Sequence, residues 1–459
     1  MSKVSKSLAK PSGMTDMTVG SPLRLIFFFS LPLLAGNLFQ QLYNMVDSMV
    51  VGRYVGDQAL AAVGTGFPIF FMLSSLFMGI GTGATIIIAQ YYGAGDMDGV
   101  RTTVDTIYTA MVVGSIPLTI AGVVLSGPIL KLIQVPDDTY PQALLYLIII
   151  FAGVMGTIGY NINAGILQGL GDSKTPLIFL SIACVINIVL DLVFVLVFQM
   201  GVAGVACATI IAQFFSWFYG IWYINRKYPE IKIHPFSMRF SKRMFAKLMK
   251  LGVPVGILQA LFSVGVMAMQ ALVNSYGSAF MAGYNGANKL DTFVFMPIQS
   301  FATAATTFVG QNIGAGRMDR VNHGTRASIK LAVVVSILSG GLLLLFGRQL
   351  MMLFSTSPDV IDAGMAYLNR IVPFYFMLAV MFLLSSIMRG AGDMVIPMVG
   401  SIVSLWLARV PSAYILNHFF GRDNMFFCFA VGWALGLAIV LPAFFRGRWR
   451  DKCVVNKEG

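Results

Sequence analysis

The chain carries one short segment twice. Residues 90–98 read QYYGAGDMD and residues 311–319 read QNIGAGRMD, so the second copy lies 221 positions after the first (311 − 90). The same offset relates Gly169 to Gly390 and Pro176 to Pro397. Duplication on this scale is typical of membrane transporters built from two structural repeats. The two halves are therefore predicted to share one architecture.

The composition indicates that both halves lie in a membrane. Hydrophobic residues make up 57% of the chain and charged residues only 11%, whereas soluble domains carry about 25% charged residues. Runs of about 20 apolar residues cross a bilayer as helices. Twelve such runs are predicted, at residues 22–52, 57–91, 100–126, 139–168, 175–199, 202–225, 247–275, 281–312, 321–347, 359–388, 394–418 and 424–446. The predicted fold class is an all-α integral membrane protein with 12 transmembrane helices.

Six spans in each half give both halves the same orientation in the membrane. The two six-helix lobes are therefore expected to be related by a pseudo-two-fold axis along the membrane normal. The predicted order is an N-terminal tail (1–21), an N-lobe (22–225), an inter-lobe linker (226–246), a C-lobe (247–446) and a C-terminal tail (447–459). The linker is assigned from its prolines and its many charges.

The net charge of +12 is concentrated on one side of the predicted membrane. Lys and Arg cluster in both tails, in the linker and in the loop after the eighth span, whereas loops on the other side carry at most one basic residue each. Because basic loops stay in the cytoplasm, both termini of this multi-pass protein of the cell membrane are predicted to be cytoplasmic. Basic and aromatic residues are not interleaved on any soluble segment, so nucleic-acid binding is not expected.

Two acidic residues lie inside predicted spans, Asp47 on the first and Asp191 on the fifth. An ionisable group inside a membrane costs about 2.5–3.5 kcal/mol on insertion scales, which marks such residues as candidates for function. Asn187 precedes Asp191 by one helical turn, and on the sixth span Thr209 precedes Gln213 by one turn. At a rise of 1.5 Å per residue, the two acids and Thr209 lie about 7–11 Å below the outer ends of their helices. These side chains are therefore predicted to meet at one level.

The first span also carries a polar stripe, which has to face protein or water and not lipid. Its members recur at helical spacing, at Asn37, Gln40, Gln41, Asn44 and Asp47. Two carboxylates with an amide and a hydroxyl form an oxygen-rich set, which suits a proton shared between the acids or a hard cation such as Na⁺. The alternative is a polar network that only packs helices, but hydrogen bonds between membrane helices average about 0.6 kcal/mol. An ion site is therefore the preferred interpretation.

The second half keeps the same order of spans but lacks the two acids, because Met269 and Ser412 stand where the first half has Asp47 and Asp191. Ion coupling is therefore predicted to belong to the N-lobe, and the C-lobe is expected mainly to shape the cavity. Candidate cavity residues are Asn37, Gln40, Gln41, Asn44, Gln213, Gln259, Ser263, Lys289 and Asp291. Residues 289 and 291 do not face each other on a helix, and snorkelling to the outer interface is the alternative for Lys289.

Together these segments resemble the MATE (multidrug and toxic compound extrusion) family of transporters over nearly the whole chain. The resemblance is carried by NMVDSMVVG at 44–52, NIVLD at 187–191, GLGD at 169–172 and the duplicated QxxGAG segments. It implies two six-helix lobes around a central cavity that opens alternately to each side. It also implies export of cationic or amphipathic organic compounds driven by inward flow of protons or sodium, with no cofactor beyond the coupling ion.

The resemblance is closest to DinF-like members, whose cation site uses an Asp on the first helix, an Asn and an Asp on the fifth, and a Thr on the sixth. The matching residues here are Asp47, Asn187, Asp191 and Thr209, which the resemblance implies as the site for H⁺ or Na⁺. NorM-like members also use acids on the seventh and tenth helices. This chain has Gln259 on the seventh and no acid deep in the tenth, so a C-lobe cation site is not expected.

Other functions remain open at this point. A lipid-linked oligosaccharide or lipid flippase of the same superfamily is the alternative, since it would share the two lobes and Lys289 and Arg409 offer cations. An enzyme is not expected, because no HExxH or GxSxG pattern is present and no histidine lies deep in a span. The glycines of QxxGAG are interpreted as helix C-caps and tight turns. The expected partners are organic cations or amphipathic drugs and membrane lipids, and the chain is expected to act as a monomer.

Overall fold

The computed structural model of this chain describes residues 15–455. The first part of the predicted N-terminal tail and the last four residues of the C-terminal tail, with their lysines, lie outside the described residues. The N-lobe helices are α1 (Pro22–Val50), α2 (Asp57–Ala94), α3 (Met97–Leu132), α4 (Tyr140–Ala152), α5 (Val154–Gly169), α6 (Lys174–Leu192) and α7 (Gly201–Lys227). The C-lobe helices are α8 (Lys242–Asn274), α9 (Ser278–Gly314), α10 (Met318–Met352), α11 (Pro358–Ile371), α12 (Tyr375–Ala391), α13 (Val395–Ile402), α14 (Val410–Phe420) and α15 (Cys428–Arg446).

Eleven helical stretches within residues 15–455 are long and apolar enough to cross a membrane. The pair α4 and α5 passes the same test together and is bent by 51°. Gly153 stands at the bend, where a side chain would come within 2.4 Å of Ile210 on α7. With this pair taken as one broken span, the prediction of 12 transmembrane helices is confirmed.

The helix boundaries repeat along the chain as the duplicated segments do. α2 begins at Asp57 and α9 at Ser278, while α6 begins at Lys174 and α13 at Val395. Each pair of starts is separated by the same offset as the two QxxGAG segments, since 278 − 57 and 395 − 174 both equal 311 − 90. The described helices therefore form two halves with the same order of membrane spans, as the duplication predicts.

The connection between the lobes is shorter and better packed than the predicted linker. α7 continues to Lys227 and α8 begins at Lys242. Between them, the Asn225 side chain holds the backbone of Ile233 through two hydrogen bonds of 2.6 Å and 3.0 Å. Tyr228 is fully buried. The segment carries many charges, but it is still packed, because its apolar residues contact the N-lobe.

Within residues 15–455, three stretches of π-helix occur that the apolar pattern does not predict, at Val51–Val55, Val193–Val197 and Val403–Arg409. A π-helical turn widens the hydrogen-bonding ring by one residue and is frequent at functional sites. The first follows Asp47 by about one turn, and the second begins two residues after Asp191. The ends of α1 and α6 are therefore irregular next to the two candidate acids.

Glycines of α2 and α8 bring the backbones of the two lobes into close contact. A Cβ atom added to Gly79 would lie 2.4 Å from the carbonyl oxygen of Gly252 and 2.4 Å from the backbone nitrogen of Gly256. Such an approach requires glycine on both helices. Gly83, one turn further along α2, extends this contact, because an added Cβ there would lie 3.0 Å from the backbone nitrogen of Gly252. The lobes are therefore closed against each other in one half of the membrane.

We call the side at which residues 15 and 455 lie the terminal face. The Thr15 N–H donates to the carbonyl of Gly171 there (3.3 Å), and the Val454 N–H donates to Gln90 Oε1 (2.7 Å). α2 ends at this face and α8 begins at it. The glycine contact between the lobes thus lies in the half of the membrane near the terminal face, and the acids near the ends of α1 and α6 lie toward the opposite face.

Asp172 joins α6 to the end of α7 at the terminal face. Its Oδ1 accepts hydrogen bonds from the N–H groups of Lys174 (3.1 Å) and Thr175 (3.0 Å). Its Oδ2 accepts from Thr175 Oγ1 (2.6 Å), Tyr228 OH (2.9 Å) and Lys227 Nζ (3.1 Å). Burial raises the pKa of Asp172, but the hydrogen bonds from Thr175 and the charge of Lys227 outweigh burial and hold that pKa below its usual value.

Candidate functional site

Three N-lobe helices bring the predicted ion site together. Asp47 lies in the last turn of α1, Asp191 lies near the end of α6, and Thr209 lies in the third turn of α7. Asn187 and Asp191 are each 0% exposed, and Asp47 is half-buried. These side chains therefore meet at the depth that was predicted by counting residues from the outer ends of their helices.

Asn187 is held between Asp191 and Thr209. With its amide oriented to satisfy both neighbours, Asn187 Nδ2 donates to Asp191 Oδ2 (3.0 Å) and Asn187 Oδ1 accepts from the Thr209 N–H (3.2 Å). The reverse orientation leaves one longer contact, from Nδ2 to Thr209 Oγ1 (3.4 Å), and turns the amide oxygen toward a carboxylate. The first orientation is the physically reasonable one. Asn187 therefore fixes Asp191 against α7.

The Asp47 and Asp191 carboxyl groups lie within hydrogen-bonding reach of each other. In each, Oδ1 is buried and has no hydrogen-bond partner among the described residues. Two negative charges about 4 Å apart repel by about 4 kcal/mol at an effective dielectric constant of about 20. A proton or a cation between the two carboxyls would remove this repulsion, so the arrangement suits an ion site.

Two tyrosines that the sequence did not single out complete the surroundings. Tyr43, one turn before Asp47 on α1, donates from its hydroxyl to Thr209 Oγ1 (3.4 Å). Tyr146, on α4, lies within electrostatic range of both carboxyl groups. The spacing of Tyr43 from Asp47 (i, i+4) was available as a signal, because it places both residues on one face of α1.

The structure places the predicted cavity residues of the N-lobe in different surroundings. Asn37 Nδ2 donates to Ser300 Oγ of the C-lobe (3.2 Å), so this residue bridges the lobes. Gln40 and Asn44 are half-buried and Gln41 is exposed. Gln213 Oε1, on α7, is buried with no hydrogen-bond partner among the described residues. Gln213 therefore adds an unused oxygen one turn beyond Thr209.

In the C-lobe, Gln259 and Ser263 are half-buried on α8, where Ser263 Oγ donates to the Gln259 carbonyl (3.3 Å). Asp291 accepts hydrogen bonds from two hydroxyl groups, that of Tyr367 at Oδ2 (3.2 Å) and that of Tyr375 at Oδ1. Lys289 is exposed, away from this cluster, as the two-residue spacing predicts. The C-lobe thus holds a carboxyl of its own, but two hydroxyls already satisfy it.

Arg409 is the cation of this C-lobe cluster. Its guanidinium lies 4.3 Å from the centre of the Phe429 ring and within electrostatic range of Asp291. Tyr367 occupies the position equivalent to Tyr146 of the N-lobe, because the offset between them (367 − 146) is that of the duplication. In each lobe this tyrosine lies near an intramembrane acid. The duplication therefore points to a polar site in both lobes, although only the N-lobe pairs two acids.

Two lobes of membrane helices, closed on each other at one face and holding a pair of carboxyl groups from two different spans, define a multi-pass membrane transporter and not an enzyme. The MatE family matches residues 32–193 and again residues 254–415, once in each lobe. Since these matches cover more than half of the chain, the protein belongs to the MatE family.

The curated relatives agree with this assignment. "Probable multidrug resistance protein YpnP" of Bacillus subtilis (strain 168) is 32% identical over 443 residues, which cover 95% of this chain and 97% of that protein. "Probable multidrug resistance protein YoeA" of the same organism is 29% identical and covers 99% of this chain and 98% of its own length. "Probable multidrug resistance protein NorM" of Thermotoga maritima is 26% identical, with coverage of 94% and 93%. The flippase alternative is not favoured by these names.

Solved structures confirm the two-lobe fold. A crystal structure of MATE in complex with MaL6 superposes with a TM-score of 0.88 at 22% identity and covers 96% of this chain and 99% of that one. A structure described as the outward-facing conformation of a multidrug resistance MATE family transporter gives a TM-score of 0.86 at 22% identity, with the same coverage. The predicted family and fold class are therefore confirmed.

Proposed function

We propose that this protein is a secondary active exporter of organic cations and amphipathic drugs, coupled to inward flow of H⁺ or Na⁺. The carrying observation is the contact between Asp47 and Asp191, in which each carboxyl keeps a buried oxygen without a partner among the described residues. Such a pair binds a cation more tightly when the two carboxyls are close together than when they are apart. A difference in affinity between two conformations is what coupling requires. The names of the relatives, multidrug resistance proteins, support the substrate class.

The ion site is proposed to consist of Asp47, Asn187, Asp191 and Thr209. Asn187 positions Asp191, and Thr209 offers its hydroxyl beside the pair. When a proton or Na⁺ binds, the repulsion of about 4 kcal/mol between the carboxylates is removed and α1 packs more closely on α6. When the ion leaves, the restored repulsion drives the two helices apart. The polar stripe of α1, which includes Gln40 and Asn44, moves with Asp47 and changes the shape of the cavity.

The orientation follows from the basic residues. The terminal face carries most of the Lys and Arg, and we assign it to the cytoplasm of a cell-membrane protein. The lobes are closed against each other in the half of the membrane near that face. On this assignment the space between the lobes opens to the outside, and the ion reaches the Asp47–Asp191 pair from there. Both lobes belong to one chain, so a monomer is sufficient for alternation.

Proteoliposomes test this function directly. Efflux of a fluorescent organic cation is measured under an imposed proton gradient and then under a sodium gradient. The wild type, Asp191→Asn and a control, Asp57→Asn, are compared, since Asp57 is an exposed acid at the start of α2. Efflux under one gradient that is lost only in Asp191→Asn supports the proposal and identifies the ion. Normal gradient-driven efflux by folded Asp191→Asn would refute the proposed coupling site.

A further inference from the structure

The duplicated QxxGAG segments meet each other at the terminal face. Gly95 and Gly316 have positive φ (76° and 72°) and form the predicted turns. Gly93 and Gly314 have a different role. A Cβ atom added to Gly93 would lie 1.9 Å from the Gln311 carbonyl oxygen, and one added to Gly314 would lie 1.9 Å from the Gln90 carbonyl oxygen. The two copies therefore pack backbone to backbone, with the glycine of each repeat on the glutamine of the other.

The two glutamine side chains cross between the lobes in the same way. Gln90 Nε2, from the N-lobe, donates to the Gly390 carbonyl of the C-lobe (2.9 Å). Gln311 Nε2, from the C-lobe, donates to the Gly169 carbonyl of the N-lobe (3.1 Å). The two donors are related by the offset of the duplication, and so are the two acceptors, since 311 − 90 equals 390 − 169. Both glutamines are 0% exposed.

The amide oxygens of the same glutamines hold the two terminal segments. Gln311 Oε1 accepts from the Met17 N–H (3.0 Å), and Gln90 Oε1 accepts from the Val454 N–H (2.7 Å). Met17 precedes α1 of the N-lobe, and Val454 follows α15 of the C-lobe. Each lobe therefore sends its terminal segment onto the glutamine of the other lobe.

The Met17 segment is fastened to the C-lobe by further contacts. Asn312 Nδ2 and an Arg320 N–H both donate to the Met17 carbonyl (3.0 Å and 3.1 Å). Arg317 donates to the Thr18 carbonyl (2.5 Å). On the other side of the axis, Lys247 Nζ of the C-lobe donates both to the Val454 carbonyl of its own lobe (2.8 Å) and to Tyr91 OH of the N-lobe (2.9 Å). The primary amide of glutamine presents its donor and its acceptor on separate atoms, so each glutamine can hold a carbonyl group and an N–H group at the same time.

We infer that Gln90 and Gln311 are a matched pair of latches that hold the terminal face closed. When the lobes separate at this face, each glutamine has to release a glycine carbonyl of the other lobe and a terminal segment in the same event. Release of one latch therefore makes release of the other easier, because the two lobes move as rigid bodies. The inference uses the alternation of the lobes that the proposed function requires, and it is independent of the ion and the substrate.

Hydrogen exchange of the full-length protein in nanodiscs, followed by mass spectrometry, tests this coupling. Gln90→Met keeps the size of the side chain and removes its amide. If the latches are coupled, exchange becomes about tenfold faster not only in residues 452–455 but also in residues 15–20, which the other glutamine holds. Gln311→Met should give the reciprocal result. Gln168→Met is the control, since the Gln168 side chain makes no hydrogen bond to a described residue although it lies beside Gly169.

Exchange confined to the segment that the mutated glutamine contacts would overturn the inference, because each glutamine would then be only a local anchor. Faster exchange through the whole chain would also overturn it, since it would show loss of the fold in place of release of the terminal face. The measurement needs no gradient and no substrate. Its outcome is therefore separate from the efflux test of Asp191→Asn.

Discussion

The glycine contact between the lobes allows a prediction of how far a single methyl group shifts the conformational equilibrium. In Gly79→Ala, the new Cβ would lie 2.4 Å from the Gly252 carbonyl oxygen and 2.8 Å from Gly256 Cα. All of the nearest atoms belong to backbone, so no side-chain rotation can relieve the overlap. Ordinary contact begins at 3.4 Å, and α2 and α8 therefore have to separate by about 1 Å (3.4 − 2.4), which corresponds to overpacking.

Overpacking of this kind costs about 1–3 kcal/mol. The cost falls only on the state in which the terminal face is closed, because the contact does not exist once the lobes separate there. The population ratio of the open to the closed terminal face should therefore rise by about 5-fold to 150-fold. Gly81→Ala is the control. It gains the same helix propensity, about 1 kcal/mol, but no atom lies within 4 Å of its added Cβ.

Spin labels at Asp98→Cys and Asp319→Cys report this equilibrium. These exposed residues begin α3 and α10 at the terminal face and are equivalent in the two repeats. After replacement of the native cysteines, pulsed electron resonance gives the distribution of label-to-label distances. Gly79→Ala should enrich the long distances and Gly81→Ala should not. An unchanged distribution in Gly79→Ala would show that the glycines do not limit the approach of the lobes, and the reasoning would be wrong.

Two substitutions of acidic residues test the polar contacts outside the proposed ion site. Asp172→Asn removes the charge that binds Lys227, and at pH 7 it should lower the unfolding free energy by about 1.5–3 kcal/mol. The folded-state pKa of Asp172 lies below its unfolded value of about 3.9. Its contribution is therefore present above that value and lost as the pH falls through the folded-state pKa, so melting curves of mutant and wild type should converge in acid. Asp291→Asn weakens the bonds from Tyr367 and Tyr375 and should lower the melting temperature, while the ion dependence of efflux stays unchanged. A changed coupling ion in Asp291→Asn would contradict the assignment of coupling to the N-lobe.

Properties that depend on one helix at a time could be predicted from the sequence. The number of spans follows from runs of apolar residues, because the thickness of the bilayer fixes the length of a span. The meeting of Asn187 and Asp191 on one face follows from the helical period, and the depth of Asp47 follows from the rise per residue. The duplicated QxxGAG segments predicted that the two halves share one architecture. These are local or repetitive features, so no knowledge of neighbouring helices is needed.

Properties that depend on how helices face each other were decided by the tertiary structure alone. The count of residues places Asp47 and Asp191 at one depth, but their contact also depends on the rotation of α1 and α6 about their axes, which distant side chains determine. The glycines at 79 and 93 look like ordinary helix and turn glycines in the sequence, and only the opposite lobe shows why a side chain is forbidden there. Gln90 and Gln311 were visible as a repeat, but their partners are carbonyl groups, which every residue carries and no sequence pattern marks.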